Sequence, residues 1–371
     1  MSFKILAINP GSTSTKCAIY DETSEIWKSN VTHRAEDLAR FARIQDQLEY
    51  RSAAVREGLC EAGGDALIGL AAVVGRGGLL RPLAGGVYEV NERMKADLLA
   101  CRYGSHASNL GALIAESLAR ELGLKAYIVD PVVVDELDPL ARYSGLPEIP
   151  RRSIFHALNQ KATARKAACR LGRQYSECAL IVAHMGGGIS IGIHVGGRVV
   201  DVNNALDGEG PFAIERAGTV PAGDWMRWVL SHQHDPAALQ AKLTGRGGLV
   251  AYLGTNDFQA IDRAAGGIGE GGGEPDPKEL DGKLCRELVR ALCYQVAKSI
   301  AALSAFTAGK LDAIVLTGGL AFSKSVVEDV TRRVDFLAPV LVFPGENELE
   351  ALALGVREVL RGEAEAGVYE G

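Results

Sequence analysis

HMGGGISIGI (184–193) is the stretch on which the fold turns. Three consecutive glycines separate the apolar, β-prone runs Ala179–Ala183 and Ile189–His194, so the chain reads strand, tight turn, strand. A dinucleotide-binding unit needs G-x-G-x-x-G opening a helix; this stretch misses the spacing and stays β-prone. INPGSTSTK (8–16) repeats the layout, with Phe3–Ile8 leading into a polar glycine turn and Lys16–Tyr20 leading out. Glycine turns that also hold Ser, Thr and Lys present bare backbone N–H groups to an anion, phosphate above all. No G-x-x-x-x-G-K-[ST] string exists, which excludes a P-loop.

Outward from the two hairpins, strand-like runs alternate with helical ones, the pattern of an α/β protein. Ala71–Val74 is a short strand ending in Gly75-Arg76-Gly77-Gly78, and Lys125–Val134 is a strand interrupted at Asp130-Pro131. Asn109–Leu122 has helical apolar spacing and stops at Gly123; Leu284–Phe306 is a longer helix ending at Gly309. Ala313–Leu316 is a strand that runs into Thr317-Gly318-Gly319. Ile5–Ile19 aligns with Leu180–His194 at an offset of 175, and Ala71–Gly78 with Asp312–Gly319 at an offset of 241. The same order in each half predicts two similarly folded domains. We expect an N-terminal domain over 1–152, joined by a C-terminal helix 348–371, and a C-terminal domain over 153–347. Low-complexity Gly266–Gly282 reads as a surface excursion, and Gly362–Gly371 as a fraying end.

Composition narrows the function. The 371 residues carry 40 basic and 46 acidic side chains without a Lys/Arg-rich block, which argues against a nucleic-acid partner. No apolar run reaches the roughly 20 residues of a membrane span, and the N-terminus lacks a signal-peptide layout, so the expected location is the cytoplasm. Seven cysteines without a C-x-x-C pair read as buried thiols, not disulfides or zinc ligands. His232 and His234, at i and i+2, would not share a helix face and so make a poor metal pair.

The motifs carry a resemblance. INPGSTSTK (8–16), HMGGGIS (184–190) and LTGGLA (316–321) resemble the two phosphate motifs and the adenosine motif of the acetate/butyrate kinase family. SIFHALNQKA (153–162), DGEGPFAIERAGTVP (207–221), GGLVAYLGTND (247–257) and PGENELEALALG (344–355) are similar to its butyrate branch. The likeness runs from Lys4 to about Leu360. It implies an actin-like ATPase fold (ribonuclease H-like) with the nucleotide cleft between two domains, ATP and Mg²⁺ as cofactors, and a homo-oligomer, dimer or higher. The implied reaction is reversible phosphorylation of a short-chain carboxylate, butyrate first. Isobutyrate, propionate and acetate are alternative acids, and a silent ATP-binding regulator is the rival reading.

Resemblance also assigns roles. Asn9 helps position Mg²⁺, while Ser12, Ser14 and Lys16 line the phosphate path; a polar β-turn alone would not gather four such side chains. His184 with Gly186, Gly187 and Gly188 forms the second phosphate hairpin, and Gly318 and Gly319 the adenosine loop. Arg216 and His156 match the family's transition-state arginine and histidine. Arg76 is placed to hold the substrate carboxylate, but it immediately precedes Gly77-Gly78 where the family spaces its arginine three residues ahead, so Arg81 stays an alternative. Asp130 matches a strand-end aspartate with a catalytic part. Glu348 is the metal-linked glutamate, with Glu346 as the alternative. Asp257 matches the adenosine-side aspartate, although the arginine two positions later in the family is Gln259 here. His106 is a candidate for the acid pocket.

Overall fold

The computed structural model describes residues 3–22, 24–231, 235–266 and 280–371. His232 and His234, weighed above as a metal pair, and residues 267–279 of the expected excursion lie outside the described residues. The chain divides into two compact units: residues 1–135, 157–159 and 347–371, and residues 136–156 and 160–346.

The first unit is built on a sheet of β1 (Lys4–Pro10), β2 (Ser14–Tyr20), β3 (Glu25–Thr32), β4 (Leu70–Arg76), β5 (Val87–Glu89) and β6 (Lys125–Val129). Its order is β3-β2-β1-β4-β6-β5, with β1, β4 and β6 parallel and β2, β3 and β5 antiparallel to their neighbours. The parallel strands are almost continuously apolar because both faces are covered. Leu6, Ile8, Val73 and Ile128 pack with Leu110, Ile114 and Leu118 of the helix Asn109–Leu122 in one buried cluster. Strand and helix meet backbone to backbone at Gly75 and Gly111, where a Cβ on either would strike the other segment's main chain.

The second unit's sheet contains β7 (Ala179–Met185), β8 (Ile189–Val195), β9 (Arg198–Val202), β10 (Ala313–Gly318) and β11 (Val340–Pro344). Its order is β11-β10-β7-β8-β9, with β7, β10 and β11 parallel and β8 and β9 antiparallel. Substituting β7 for β1, β8 for β2, β9 for β3, β10 for β4 and β11 for β6 reproduces the order and directions of five of the first sheet's six strands; β5 has no counterpart. The expected duplication is therefore present in strand order as well as in sequence. The long helix Gly282–Leu303 places Leu288, Leu292, Val296 and Ile300 in this unit's core.

Three expectations need correction. The boundary lies at 135/136, not 152/153, because residues 136–152 are tied by charge to the second unit. Glu136 accepts both Lys161 Nζ (2.9 Å) and the Val199 amide (2.7 Å), and Arg151 pairs with Asp201 and Glu209. The strand expected over Lys125–Val134 stops at Val129, since Asp130 takes a positive φ of 38° ahead of Pro131. The C-terminal helix ends at Leu360, and the tail does not fray. Tyr369 is 4% exposed, its hydroxyl donates to Asp97 at 3.0 Å, and its carbonyl accepts Asn91 Nδ2 at 2.8 Å.

Candidate active site

In the first unit the β1–β2 hairpin pairs Asn9 with Lys16 and leaves Ser12 and Lys16 exposed. The turn is shaped from behind by Arg51, a residue outside the sequence expectations. Arg51 has 0% exposure; its guanidinium donates to the carbonyls of Gly11 (2.9 Å), Ser12 (3.1 Å) and Ser14 (3.1 Å), and its Nε to Gln47 Oε1. Burial lowers its pKa from the ordinary arginine value. A lone Arg on an amphipathic helix gives no sequence signal for this task.

Asn9 Nδ2 donates to Glu348 Oε2 at 2.5 Å, and Arg76 Nη1 reaches the same oxygen at 3.0 Å and Asn9 Oδ1 at 3.4 Å. Three expected residues thus form one cluster at the ends of β1 and β4 and the start of the helix Glu348–Leu360. Arg81 donates instead to the Gly371 carbonyl, near the chain end. Asp130 is 1% exposed and accepts the Gly86 amide at 2.8 Å while its own amide donates back to Gly86 at 2.9 Å. That exchange fastens the β5 approach. His106 pairs with Ser108 Oγ at 2.8 Å in a separate turn.

Among the described residues no group of three or more His, Cys, Asp or Glu could hold a metal. Mg²⁺ needs no such group: it takes one or two carboxylates and completes its shell with water and phosphate oxygens. Glu348 Oε2 already accepts two hydrogen bonds, so Glu348 would hold such an ion with its other oxygen.

In the second unit His156 and His184 stack, with ring centroids 3.8 Å apart and planes 12° from parallel. His156 Nδ1 lies 2.9 Å from Ser190 Oγ, and His184 Nε2 3.1 Å from Glu346 Oε1. Glu346 therefore belongs with the second hairpin and Glu348 with Asn9, which separates two residues the sequence left interchangeable. Arg216 lies across the glycine turn: a Cβ on Gly188 would run into its guanidinium, and its Nη1 donates to the Ala205 carbonyl at 2.5 Å. His156 and Arg216 are thus brought against the hairpin that carries His184 and Gly188.

Beside them opens a cavity of about 790 Å³ lined by Gly186, Gly187, Asp257, Gln259, Gly319 and Phe322, among others. Asp257 caps the helix Phe258–Ala264 by accepting the Ala260 amide at 3.0 Å. Gly318, at φ 88°, passes so close to the Met185 main chain that a side chain has no room. Asn256, also on the wall, donates to Glu215 Oε1 at 2.8 Å. In the sequence Asn256 and Glu215 stand directly beside Asp257 and Arg216.

Duplicated sheets with a glycine hairpin after the first strand of each, and a roomy cavity beside one of them, define an actin-like ATPase fold. The chain belongs to the acetokinase family, whose pattern matches residues 148–348. It is 46% identical to butyrate kinase 2 of Clostridium acetobutylicum over 371 residues, covering 100% of both chains. It is 49% identical to a probable butyrate kinase of Coprothermobacter proteolyticus over 370 residues, again covering 100% of both. Among solved structures it resembles acetate kinase of Porphyromonas gingivalis in fold, with a TM-score of 0.74, 17% identity, and coverage of 96% and 100% of the two chains.

Proposed function

We propose that this chain phosphorylates a short-chain carboxylate, butyrate foremost, at the expense of ATP, giving the acyl phosphate reversibly. A carboxylate oxygen attacks the γ-phosphorus, the bond from that phosphorus to the β–γ bridging oxygen breaks, and ADP leaves. The acid is ionised at neutral pH, so no general base is needed and the protein's work is alignment and charge stabilisation. The observation that carries the reading is Arg216 lying over Gly188 of a glycine hairpin whose His184 stacks on His156. A guanidinium held there suits the equatorial oxygens of a transferring phosphoryl group.

In this reading the Ser12, Ser14 and Lys16 hairpin and the Gly186–Gly188 hairpin bind phosphates, and His156 donates to the transferring group. Asp257, Gly318 and Gly319 hold the nucleoside, and Arg76 holds the acid's carboxylate. Asp130, at the end of β6, has the catalytic part that the family resemblance implies. Asn9 and Glu348 would hold Mg²⁺, which supplies charge neutralisation of the phosphates. ATP as co-substrate and seven free thiols fit a cytoplasmic enzyme, which we expect to work as a homo-oligomer. Among the described residues no helix is long and apolar enough to cross a membrane.

Hydroxamate trapping with ATP, Mg²⁺ and acids from acetate to valerate, isobutyrate included, tests the proposal. A maximum at four carbons is the expected result. No hydroxamate from any acid, with protein that still binds ATP, would favour a regulator instead.

A further inference from the structure

We propose that Gln160, Ser190 and His194 form a hydrogen-bond relay that fixes His156 in a single neutral tautomer, with its ring proton on Nε2. They act as positioning residues for that histidine.

The relay follows from one atom that has no choice of role. The Ser190 carbonyl oxygen only accepts, and Gln160 Nε2 lies 3.0 Å from it, so the Gln160 amide must turn its nitrogen toward Ser190. The second N–H of that amide goes to Ser190 Oγ at 2.7 Å. Gln160 Oε1 then faces His194 Nε2 at 3.0 Å, which must carry a hydrogen. His194 is wholly buried, and desolvation, aided by Lys161 and Arg165, keeps its pKa well below the ordinary value. Its single ring proton is therefore on Nε2, and Nδ1 accepts from the Tyr175 hydroxyl at 2.8 Å.

Toward the site, Ser190 Oγ accepts from Gln160 and from the His156 backbone N–H at 3.4 Å. Both lone pairs are then engaged, and the hydroxyl hydrogen is left for His156 Nδ1 at 2.9 Å. Nδ1 accepts, so the neutral ring carries its proton on Nε2. Gly192 makes room for the relay: a Cβ there would lie 2.7 Å from Gln160 Oε1 and 3.1 Å from Val199. In function, this tautomer presents an N–H instead of a lone pair to an electron-rich phosphoryl oxygen. That consequence rests on the kinase reading, whereas the tautomer does not.

The test is long-range ¹H–¹⁵N NMR on ring-labelled histidine in the full chain, with His156 assigned by its loss in His156→Gln. At neutral pH the expected His156 pattern has Nε2 protonated and Nδ1 in the acceptor range. The reverse pattern, or averaged shifts, overturns the proposal. In Ser190→Ala the pattern should become averaged and kcat should fall about tenfold, less than the roughly 10²–10³ for removing a donor outright, with KM for ATP unchanged. Ser190→Thr, which keeps the hydroxyl, should restore both. An unaltered His156 spectrum in Ser190→Ala also overturns it. If that variant does not fold, the wild-type spectrum decides alone. The predicted tautomer in a protein that makes no acyl phosphate would refute the kinase reading and leave the relay standing.

Discussion

Asn9 and Glu348, separated by 339 positions, share a 2.5 Å hydrogen bond at the mouth of β1. Arg76 joins the same carboxylate oxygen, and both charged side chains are largely withdrawn from water, at 19% and 7% exposure. Glu348→Ala strands a guanidinium and an amide at once. The expected loss is about 1–3 kcal/mol in denaturant unfolding, and acyl-phosphate formation should fall with it. Glu348→Gln, which keeps the shape, should recover most of the stability. Full stability in Glu348→Ala would contradict the pairing.

Arg51 is the buried brace of the β1–β2 hairpin. Arg51→Met removes the donors of three carbonyls and should destabilise the chain by about 3 kcal/mol or more, while raising KM for ATP. Thermal unfolding and steady-state kinetics read the two effects separately. A variant as stable and as tight for ATP as the parent would show that the turn holds its own shape.

Arg216→Ala should reduce kcat by about 10²–10³ with ATP binding retained by calorimetry, because the guanidinium acts on charge that develops during transfer. Gly188→Ala, whose new methyl meets that guanidinium, should move kcat in the same direction by displacing it. A fall in ATP affinity with kcat unchanged in Arg216→Ala would make Arg216 a ground-state binder.

Stability should fall on the acid side of neutrality. His194 and His33 both have folded pKa values below the ordinary 6.5, held there first by desolvation. The unfolded chain therefore binds more protons once pH drops through 6.5, and stability present above that value is lost below it. Each such histidine contributes a slope of about 1.4 kcal/mol per pH unit until its folded pKa is reached. Urea titrations from pH 7 to pH 5 on the parent and on His194→Gln measure the difference. An unchanged slope would mean His194 is not the neutral buried group described.

Thiol reactivity should follow burial. Cys17 and Cys293 are buried and their pKa values are pushed up to about 12 by desolvation, whereas Cys60 and Cys169 are exposed, against the expectation that all seven thiols are buried. A thiol reagent with native protein should therefore modify Cys60 and Cys169 first, identified by peptide mapping. Early labelling of Cys17 would indicate that the β1–β2 region opens.

The sequence by itself determined the strand–turn–strand reading of both glycine hairpins, the duplication, the helix Asn109–Leu122 to its ends, and the residue types of the site. These are local: alternation, apolar period and turn glycines are written within a few residues of where they act. Tertiary structure alone decided which glutamate serves which group, since Glu346 and Glu348 differ by two positions yet face His184 and Asn9. It also decided that Arg76 meets Glu348 while Arg81 meets the chain end, that Tyr369 anchors the tail, and that Arg51 and Gln160 support the hairpin and His156. Those outcomes depend on contacts between distant segments in a close-packed interior, where desolvation rewards one pairing of donors and acceptors and leaves no mark on local sequence pattern.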